Sequence, residues 1–398
     1  MVIKVPEVKA LDGNKAAAYA VLLCRPDVIA AYPITPQTPL LEALYRYHAD
    51  GRLEAEMVEV EGEHSGMSVL IGASACGGRT FTATSSQGLA YMFEPYYKAS
   101  GSRLPIVIVV ATRELAAPDS VSGSQQDVMS VRDAGWIQVH VESAQEIMDS
   151  MIMAYRIAED PEILLPICVC YDGFYLSHLT DRVELPSQED VDAFLAPVTD
   201  HPDRPRLDPR NPMAFSSFTL GELLIEYHYK HCDAMQVSKA KIEEVEKEFE
   251  QRFGRSYGGL IEEYRSQDAE IVLVATGSCA GTAKVVVDRM RDKGVSVGLI
   301  KIRYMRPFPK ERMAAALAGK KAVGVIDRNV CFGWNSGTTF MEIKASLGAT
   351  GAKIPMANFL DGMAGTDITI EHIERAVEIT QRAARGERFQ EVTWFALE

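Results

Sequence analysis

Residues 104–112 read Leu-Pro-Ile-Val-Ile-Val-Val-Ala-Thr, and residues 164–171 read Leu-Leu-Pro-Ile-Cys-Val-Cys-Tyr. Neither run alternates apolar with polar side chains. Each therefore predicts a strand buried on both faces, as in a parallel sheet covered by helices. Runs of similar character at Val28–Pro33, Met57–Val60, Arg79–Thr84 and Trp136–Glu142 predict neighbouring strands, with helical stretches such as Gly66–Ala75 and Ala144–Glu159 between them. Strands alternating with helices predict an open α/β layer fold over residues 1–195. Within the second run, Cys168 and Cys170 are expected on opposite faces of their strand.

Outward from that core, His201–Pro212 (HPDRPRLDPRNP) holds four prolines among alternating charges, which forbids a regular helix or a central strand. Residues 196–266 are accordingly read as a linker arm and helices. One helix is predicted to start at Ser238 and to present Ile242, Val245, Phe249 and Phe253 as a stripe before Gly254. A second α/β domain is predicted over 267–380, with strands Glu270–Thr276, Val295–Ile302 and Ala322–Asp327 and a helix Ala280–Lys293. A tail, 381–398, follows.

The 398 residues carry 41 Lys+Arg against 55 Asp+Glu, a formal charge of −14, with 47% hydrophobic and 24% charged residues. This is a globular composition, long enough for two or three domains at roughly 100–200 residues each. No basic cluster offers a phosphate-binding patch, so no nucleic-acid partner is expected. No apolar stretch reaches the roughly 18 residues of a membrane span. The start, MVIKVPEVKALDGNK, lacks a signal-peptide core, so a cytoplasmic location is expected. Seven scattered Cys, with no CxxC or CxxH among them, predict free thiols and neither an iron–sulfur cluster nor a metal site on this chain.

Four segments at predicted strand ends could carry chemistry, and each has a plainer alternative. In Tyr32-Pro33-Ile34-Thr35-Pro36-Gln37-Thr38-Pro39, Thr35 or Thr38 could simply cap the next helix. Glu59, Glu61 and Glu63 lie at a strand-to-helix junction, where a helix dipole favours acids. Ser85-Ser86-Gln87 could be a cap or an anion nest. Arg113 stands where the fourth strand emerges, and its planar fork suits a carboxylate as well as an ordinary ion pair. Thr276-Gly277-Ser278-Cys279-Ala280-Gly281-Thr282 matches neither GxGxxG nor a phosphate loop and reads as close strand–helix packing.

Taken together, GNKAAAYAV (13–21), AAYPITPQTP (30–39), EGEHSG (61–66), RTFTATSSQGL (79–89), DVMSVRDAGWIQ (127–138), ILLPICVCYDGFYLSH (163–178) and KIRYMRPFP (301–309) resemble the alpha subunit of the 2-oxoacid:ferredoxin oxidoreductases, the pyruvate synthase-like thiamine diphosphate enzymes. These segments span nearly the whole chain in the family's order. The resemblance implies that 1–195 is a pyrimidine-binding domain and that 267–380 is like a transketolase C-terminal domain. It also implies that Glu63 activates the cofactor, since a buried carboxyl can hydrogen-bond a pyrimidine ring nitrogen. Glu59 and Glu61 then become helix-start acids. By the same carry-over, Tyr32, Thr35, Pro36, Arg113 and the Ser85-Ser86-Gln87 turn line the space where a 2-oxoacid meets the cofactor. Arg113 would grip its carboxylate, and Thr35 the oxygen derived from its ketone.

No Gly-Asp-Gly occurs, so the resemblance places the diphosphate and Mg²⁺ on a beta subunit and the [4Fe-4S] clusters on gamma/delta-type, ferredoxin-like partners in a hetero-oligomer. Coenzyme A is a possible co-substrate. The loop Ala116–Gln126 lacks the bulky residues and the His usual in pyruvate-type relatives. It is expected to face the variable group of the substrate and to admit a 2-oxoacid larger than pyruvate, such as phenylglyoxylate. A non-catalytic assembly subunit and a transketolase-like group transferase are the rival functions.

Overall fold

The computed structural model describes residues 7–115, 118–199, 201, 204–214 and 216–397. Residues 1–6 of the N-terminal segment, Ala116 and Ala117 of the loop after Arg113, residues 200, 202, 203 and 215 in and around the proline-rich arm, and the final Glu398 lie outside them. In chain order the strands are β1 (Glu7–Leu11), β2 (Val28–Ala31), β3 (Glu56–Glu59), β4 (Thr80–Thr84), β5 (Val107–Thr112), β6 (Ile137–His140), β7 (Ile167–Asp172), β8 (Asp181–Leu185), β9 (Ile261–Tyr264), β10 (Ile271–Ala275), β11 (Val297–Ile302), β12 (Tyr304–Arg306), β13 (Ala322–Asp327), β14 (Met356–Leu360) and β15 (Val392–Trp394).

The first sheet runs β12-β6-β7-β5-β4-β2-β3. All its pairings are parallel except β12 against β6. β4, β5 and β7 are buried along their whole length, the outcome their unbroken apolar sequence dictates. One face packs against helices Gly13–Cys24 and Ala144–Ala158, and the other against Tyr96 stacked on Trp136. Cys168 and Cys170 share one face of β7, with their sulfurs 3.3 Å apart. The expectation of opposite faces is thereby corrected: the side-chain period of a strand is two, so residues i and i+2 point the same way.

The second sheet runs β15-β14-β13-β10-β11-β9, parallel except for β9. It includes Ile261–Tyr264 and Val392–Trp394, strands on either side of the 267–380 span. KIRYMRPFP is where the two sheets are sewn together. Lys301 Nζ and Arg303 Nε meet Glu146 at 2.6 and 2.7 Å, Arg303 Nη1 meets Glu246 at 3.0 Å, and Tyr304–Arg306 then crosses to the first sheet as β12. A small antiparallel pair, β1 with β8, closes the first domain.

The helix expected from Ser238 begins at Glu222 and runs to Phe253, ending at a left-handed Gly254. Only its C-terminal part carries a single buried stripe, which is the periodicity the sequence displays. Residues 221–230 are exposed throughout, and Leu223, Ile225, Tyr227 and Tyr229 are among them, beside exposed Phe218 and Leu220.

Candidate active site

The site begins at the carboxyl ends of β2, β4 and β5, three neighbouring strands of the parallel sheet, where such sheets bind ligands. The turn after β2 is tied down from below. Asn14 Nδ2 donates to the Pro36 carbonyl at 2.9 Å, Tyr171 OH donates to Asn14 Oδ1 at 2.6 Å, and Gln37 Nε2 donates to the Tyr32 carbonyl at 3.0 Å. Pro36 is buried beside Gly173, where a Cβ would come within 3.0 Å of the proline ring and 2.5 Å of the Thr112 carbonyl. Tyr32 and Thr35 are left exposed above it. Neither Thr35 nor Thr38 caps the helix Thr38–Ala49, whose cap residue is Gln37 and makes no side-chain cap bond. The plainer alternative for this turn therefore fails.

Arg113 is 6% exposed at the end of β5. Its Nη1 donates to the Thr35 carbonyl at 2.6 Å and its Nη2 to Gln87 Oε1 at 2.8 Å, so the structure joins three of the sequence-predicted residues directly. A guanidinium carries five N–H groups, so these two bonds leave three, and the buried Nε has no partner. Burial lowers the Arg113 pKa, opposed by the charge of Asp127.

After β4, Ser85 Oγ donates to the Ala111 carbonyl at 2.7 Å. Ser86 takes a left-handed backbone (φ +47°) and places its hydroxyl against Gln87 Oε1 and the Glu114 carbonyl. One residue beyond Gln87 comes Gly88, where a Cβ would lie 2.3 Å from Glu63 Oε1 and 2.4 Å from Thr84 Oγ1. The bare glycine is thus the floor of a notch that a carboxyl fills. Glu63 opens the helix Glu63–Ala75 and is 7% exposed, and burial raises its pKa. Glu59 ends β3, while exposed Glu61 precedes the helix and accepts from Ser65 Oγ at 2.5 Å, so of the three acids only Glu63 is in the first turn.

The orphaned atoms of this region suit a polar guest. Thr84 Oγ1, Gln37 Oε1 and Arg113 Nε are buried without partners, and Glu63 presents a desolvated carboxyl. A heteroaromatic ring with a basic nitrogen and an amino group, next to a carboxylate-bearing molecule, fits this donor and acceptor set.

Sequence reasoning missed Asp127, which is fully buried and accepts the backbone N–H groups of Ser86 and Arg113. Its signal was its position at the head of DVMSVRDAGWIQ. The loop after Arg113 is expected from sequence to face a ligand, but its far end packs on the second domain. Gly365 N donates to the Gly123 carbonyl at 3.0 Å, Thr276 Oγ1 to Gln125 Oε1 at 2.8 Å, and Gln126 exchanges two bonds with Val330. In the near part of the loop Pro118, Asp119 and Val121 are exposed. The Gly277 turn does pack closely, with Ser278 N donating to Asp172 Oδ2 at 2.9 Å while Arg328 pairs with Asp172 Oδ1 at 2.5 Å. Between the domains a cavity of about 410 Å³ is lined by Gly173, Phe174, Tyr175, Ser278 and Arg328. Among the described residues no group of three or more His, Cys, Asp or Glu could hold a metal ion, and no helix is long and apolar enough to cross a membrane.

The family model for pyruvate flavodoxin/ferredoxin oxidoreductase, thiamine diphosphate-binding, matches residues 19–247, and that for pyruvate:ferredoxin oxidoreductase core domain II matches 269–373. The chain is 46% identical over 383 residues to the alpha subunit of NADH-dependent phenylglyoxylate dehydrogenase of Aromatoleum evansii, covering 94% of this chain and 91% of that one. It is also 46% identical over 389 residues to the pyruvate synthase subunit PorA of Methanothermobacter thermautotrophicus, covering 98% of each. Among solved structures it resembles the 2-oxoglutarate:ferredoxin oxidoreductase of Magnetococcus marinus, with a TM-score of 0.71 at 19% identity over 94% of this chain and 65% of that one. It also resembles a split-gene transketolase, with a TM-score of 0.55 at 14% identity over 96% of this chain and 100% of that one. At those identities the likeness is one of fold.

Proposed function

The chain belongs to the pyruvate flavodoxin/ferredoxin oxidoreductase family and is a 2-oxoacid oxidoreductase alpha subunit, and on that premise we propose that it contributes the pyrimidine-side half of a shared active site. The observation that carries this is the Glu63 carboxyl, desolvated over Gly88 and one residue along from the Gln87 that Arg113 holds. Thiamine diphosphate, when bound, supplies the carbanion chemistry of 2-oxoacid decarboxylation. Glu63 would share its proton with a ring nitrogen of the aminopyrimidine, a role its raised pKa favours.

Arg113 holds the 2-oxoacid carboxylate with its remaining N–H groups, and its bonds to Thr35 and Gln87 keep the fork from turning away. Thr35 donates to the substrate's ketone-derived oxygen, while Tyr32, Pro36 and the Ser85-Ser86-Gln87 turn shape the wall. The diphosphate and Mg²⁺ sit on a beta subunit, and electrons leave through [4Fe-4S] clusters of gamma/delta-type, ferredoxin-like partners. Coenzyme A takes the acyl group, and the assembly works in the cytoplasm. The exposed apolar residues at 218–229 are surface that such an assembly would cover. Relatives equally similar to this chain bear the names of two different 2-oxoacids, so the substrate is pyruvate or a bulkier acid of the phenylglyoxylate kind.

The test is the complex co-expressed with its partner subunits and assayed for acceptor reduction with pyruvate, a branched 2-oxoacid, oxalate and phenylglyoxylate. At least one acid should reduce the acceptor. A complex that binds thiamine diphosphate but oxidises none of the four overturns the proposal.

A further inference from the structure

The ladders of the first sheet stop just short of the site. β4 and β5 pair as far as Thr84 with Val110, and β5 and β7 as far as Thr112 with Asp172. Beyond those last pairs the N–H groups of Ser86 and Arg113 are buried and need acceptors. One atom serves both: Asp127 Oδ2 accepts from Ser86 N at 2.9 Å and from Arg113 N at 3.0 Å, while Oδ1 accepts from Val128 N at 2.8 Å.

A carboxylate is an expensive way to satisfy two amides in a site with no exposure to water, because a neutral side chain would desolvate at lower cost. What it adds is a short, charge-assisted tie between two strand ends. Ser86 is moreover held in a left-handed conformation that an L residue seldom adopts, and its N–H is one of the two that Asp127 fixes. The side chains following these two amides are those of Arg113 and the Ser86-Gln87 turn, which meet through Arg113 Nη2 and Gln87 Oε1 at 2.8 Å.

We propose that Asp127 is a positioning residue for the 2-oxoacid, clamping the ends of β4 and β5 so that Arg113 and Gln87 present one fixed surface to the substrate carboxylate. This rests on Arg113 as the carboxylate grip. Asp127 touches neither substrate nor cofactor and acts through Arg113. The titratable groups facing it are Arg113, just past β5, and the Cys170 thiol on β7, which burial keeps protonated. Burial pushes the Asp127 carboxyl up to about 7, opposed by the three N–H bonds. Protonation removes the charge that strengthens all three N–H bonds, so the clamp loosens as pH falls below that value.

The experiment uses the whole complex with pyruvate and phenylglyoxylate as probes, comparing Asp127→Asn, Asp127→Ala, Arg113→Ala and the Asp127→Ala/Arg113→Ala double variant. Asp127→Ala should raise KM for the better probe about tenfold or more, with kcat falling much less and thiamine diphosphate binding unchanged within about twofold. The double variant should be no worse than Arg113→Ala alone, because the two act in series. Asp127→Asn keeps one oxygen acceptor, so it should fall between wild type and alanine and lack the rise of kcat/KM with pH through about 7 that is expected of the wild type. If Arg113→Ala leaves KM unchanged, the carboxylate grip itself is wrong. If Arg113→Ala raises KM while neither Asp127 variant does, or if the effects simply multiply in the double variant, the positioning role is wrong. If neither Asp127 variant assembles with its partners, the residue is structural and the proposal also fails.

Discussion

Gly88→Ala should silence the site while leaving the fold standing. The new methyl group would lie 2.3 Å from Glu63 Oε1 and 2.4 Å from Thr84 Oγ1, whereas ordinary contact begins near 3.4 Å. The carboxyl must therefore retreat by about 1 Å, a displacement that costs on the order of 10²-fold in rate when the group is a positioned acid or base. The backbone has less to lose. Gly88 lies in the helix Ser86–Tyr91, where alanine gains about 1 kcal/mol of propensity, against about 1–3 kcal/mol for overpacking beside a flexible Glu side chain. The net cost is at most about 2 kcal/mol, a drop of a few degrees in Tm. The assay is kcat/KM for the better 2-oxoacid in the assembled complex, beside thermal melting of the same sample. Gly72→Ala is the control: it lies in the helix that Glu63 opens, has open space around its Cβ, and should be stabilising and fully active. Wild-type turnover in Gly88→Ala would refute the placement of Glu63 in a working site, and a large loss of Tm would reassign Gly88 to packing.

Arg113→Lys should lower kcat/KM by roughly ten- to a hundredfold, because one ammonium cannot reach both Thr35 O and Gln87 Oε1 and still offer a two-bond fork, and a charged hydrogen bond left unmade costs about 1.5–3 kcal/mol. Unaltered kinetics with a lowered Tm would make Arg113 structural. The Asp127 carboxyl, raised by burial to about 7 from an ordinary value near 3.8, holds its proton in the folded chain and releases it in the unfolded one between those limits. Its stabilising contribution is therefore complete below about pH 4 and lost as pH rises through about 7; relative to Asp127→Asn, the wild type should gain stability from about pH 8 to about pH 5.5 in urea melts, and an unchanged difference would contradict the shift. Ser122 lies against Gly365, so Ser122→Leu should overpack the domain contact by about 1–3 kcal/mol, whereas Ser120→Leu, nearer Arg113 in the chain, should shift the ratio of kcat/KM for phenylglyoxylate against pyruvate. A ratio moved only by Ser122→Leu would reverse those assignments.

The parallel core was legible because burial on both faces leaves a run such as Ile-Val-Ile-Val-Val no polar side chain, and few other environments permit that. Other features depend on pairing at long range, which local pattern does not encode. Tyr304–Arg306 is a strand only because β6 offers an edge, and Glu7–Leu11 only because Asp181–Leu185 lies beside it. The exposed first turns of the helix Glu222–Phe253 have no stripe, so periodicity picked up the helix only where it begins to pack. In the site, Arg113, Thr35 and Gln87 stand at the ends of predicted strands, whereas position alone left Glu63 level with Glu59 and Glu61 and only the family resemblance singled it out. Asp127 heads the segment DVMSVRDAGWIQ, but nothing in that segment marks its role, which comes from two backbone amides at 41 and 14 residues' separation rather than from its neighbours in sequence.

The central claim is that this chain supplies the acid that activates a cofactor whose diphosphate is held elsewhere in the complex. The most direct measurement is hydrogen–deuterium exchange at the thiamine C2 in the assembled complex, wild type against Glu63→Gln, with thiamine diphosphate binding measured on the same samples. A general acid–base role predicts exchange slowed by about 10²–10⁴-fold in the variant, with the cofactor still bound and the complex intact. Exchange at the wild-type rate in a fully loaded Glu63→Gln complex would contradict it.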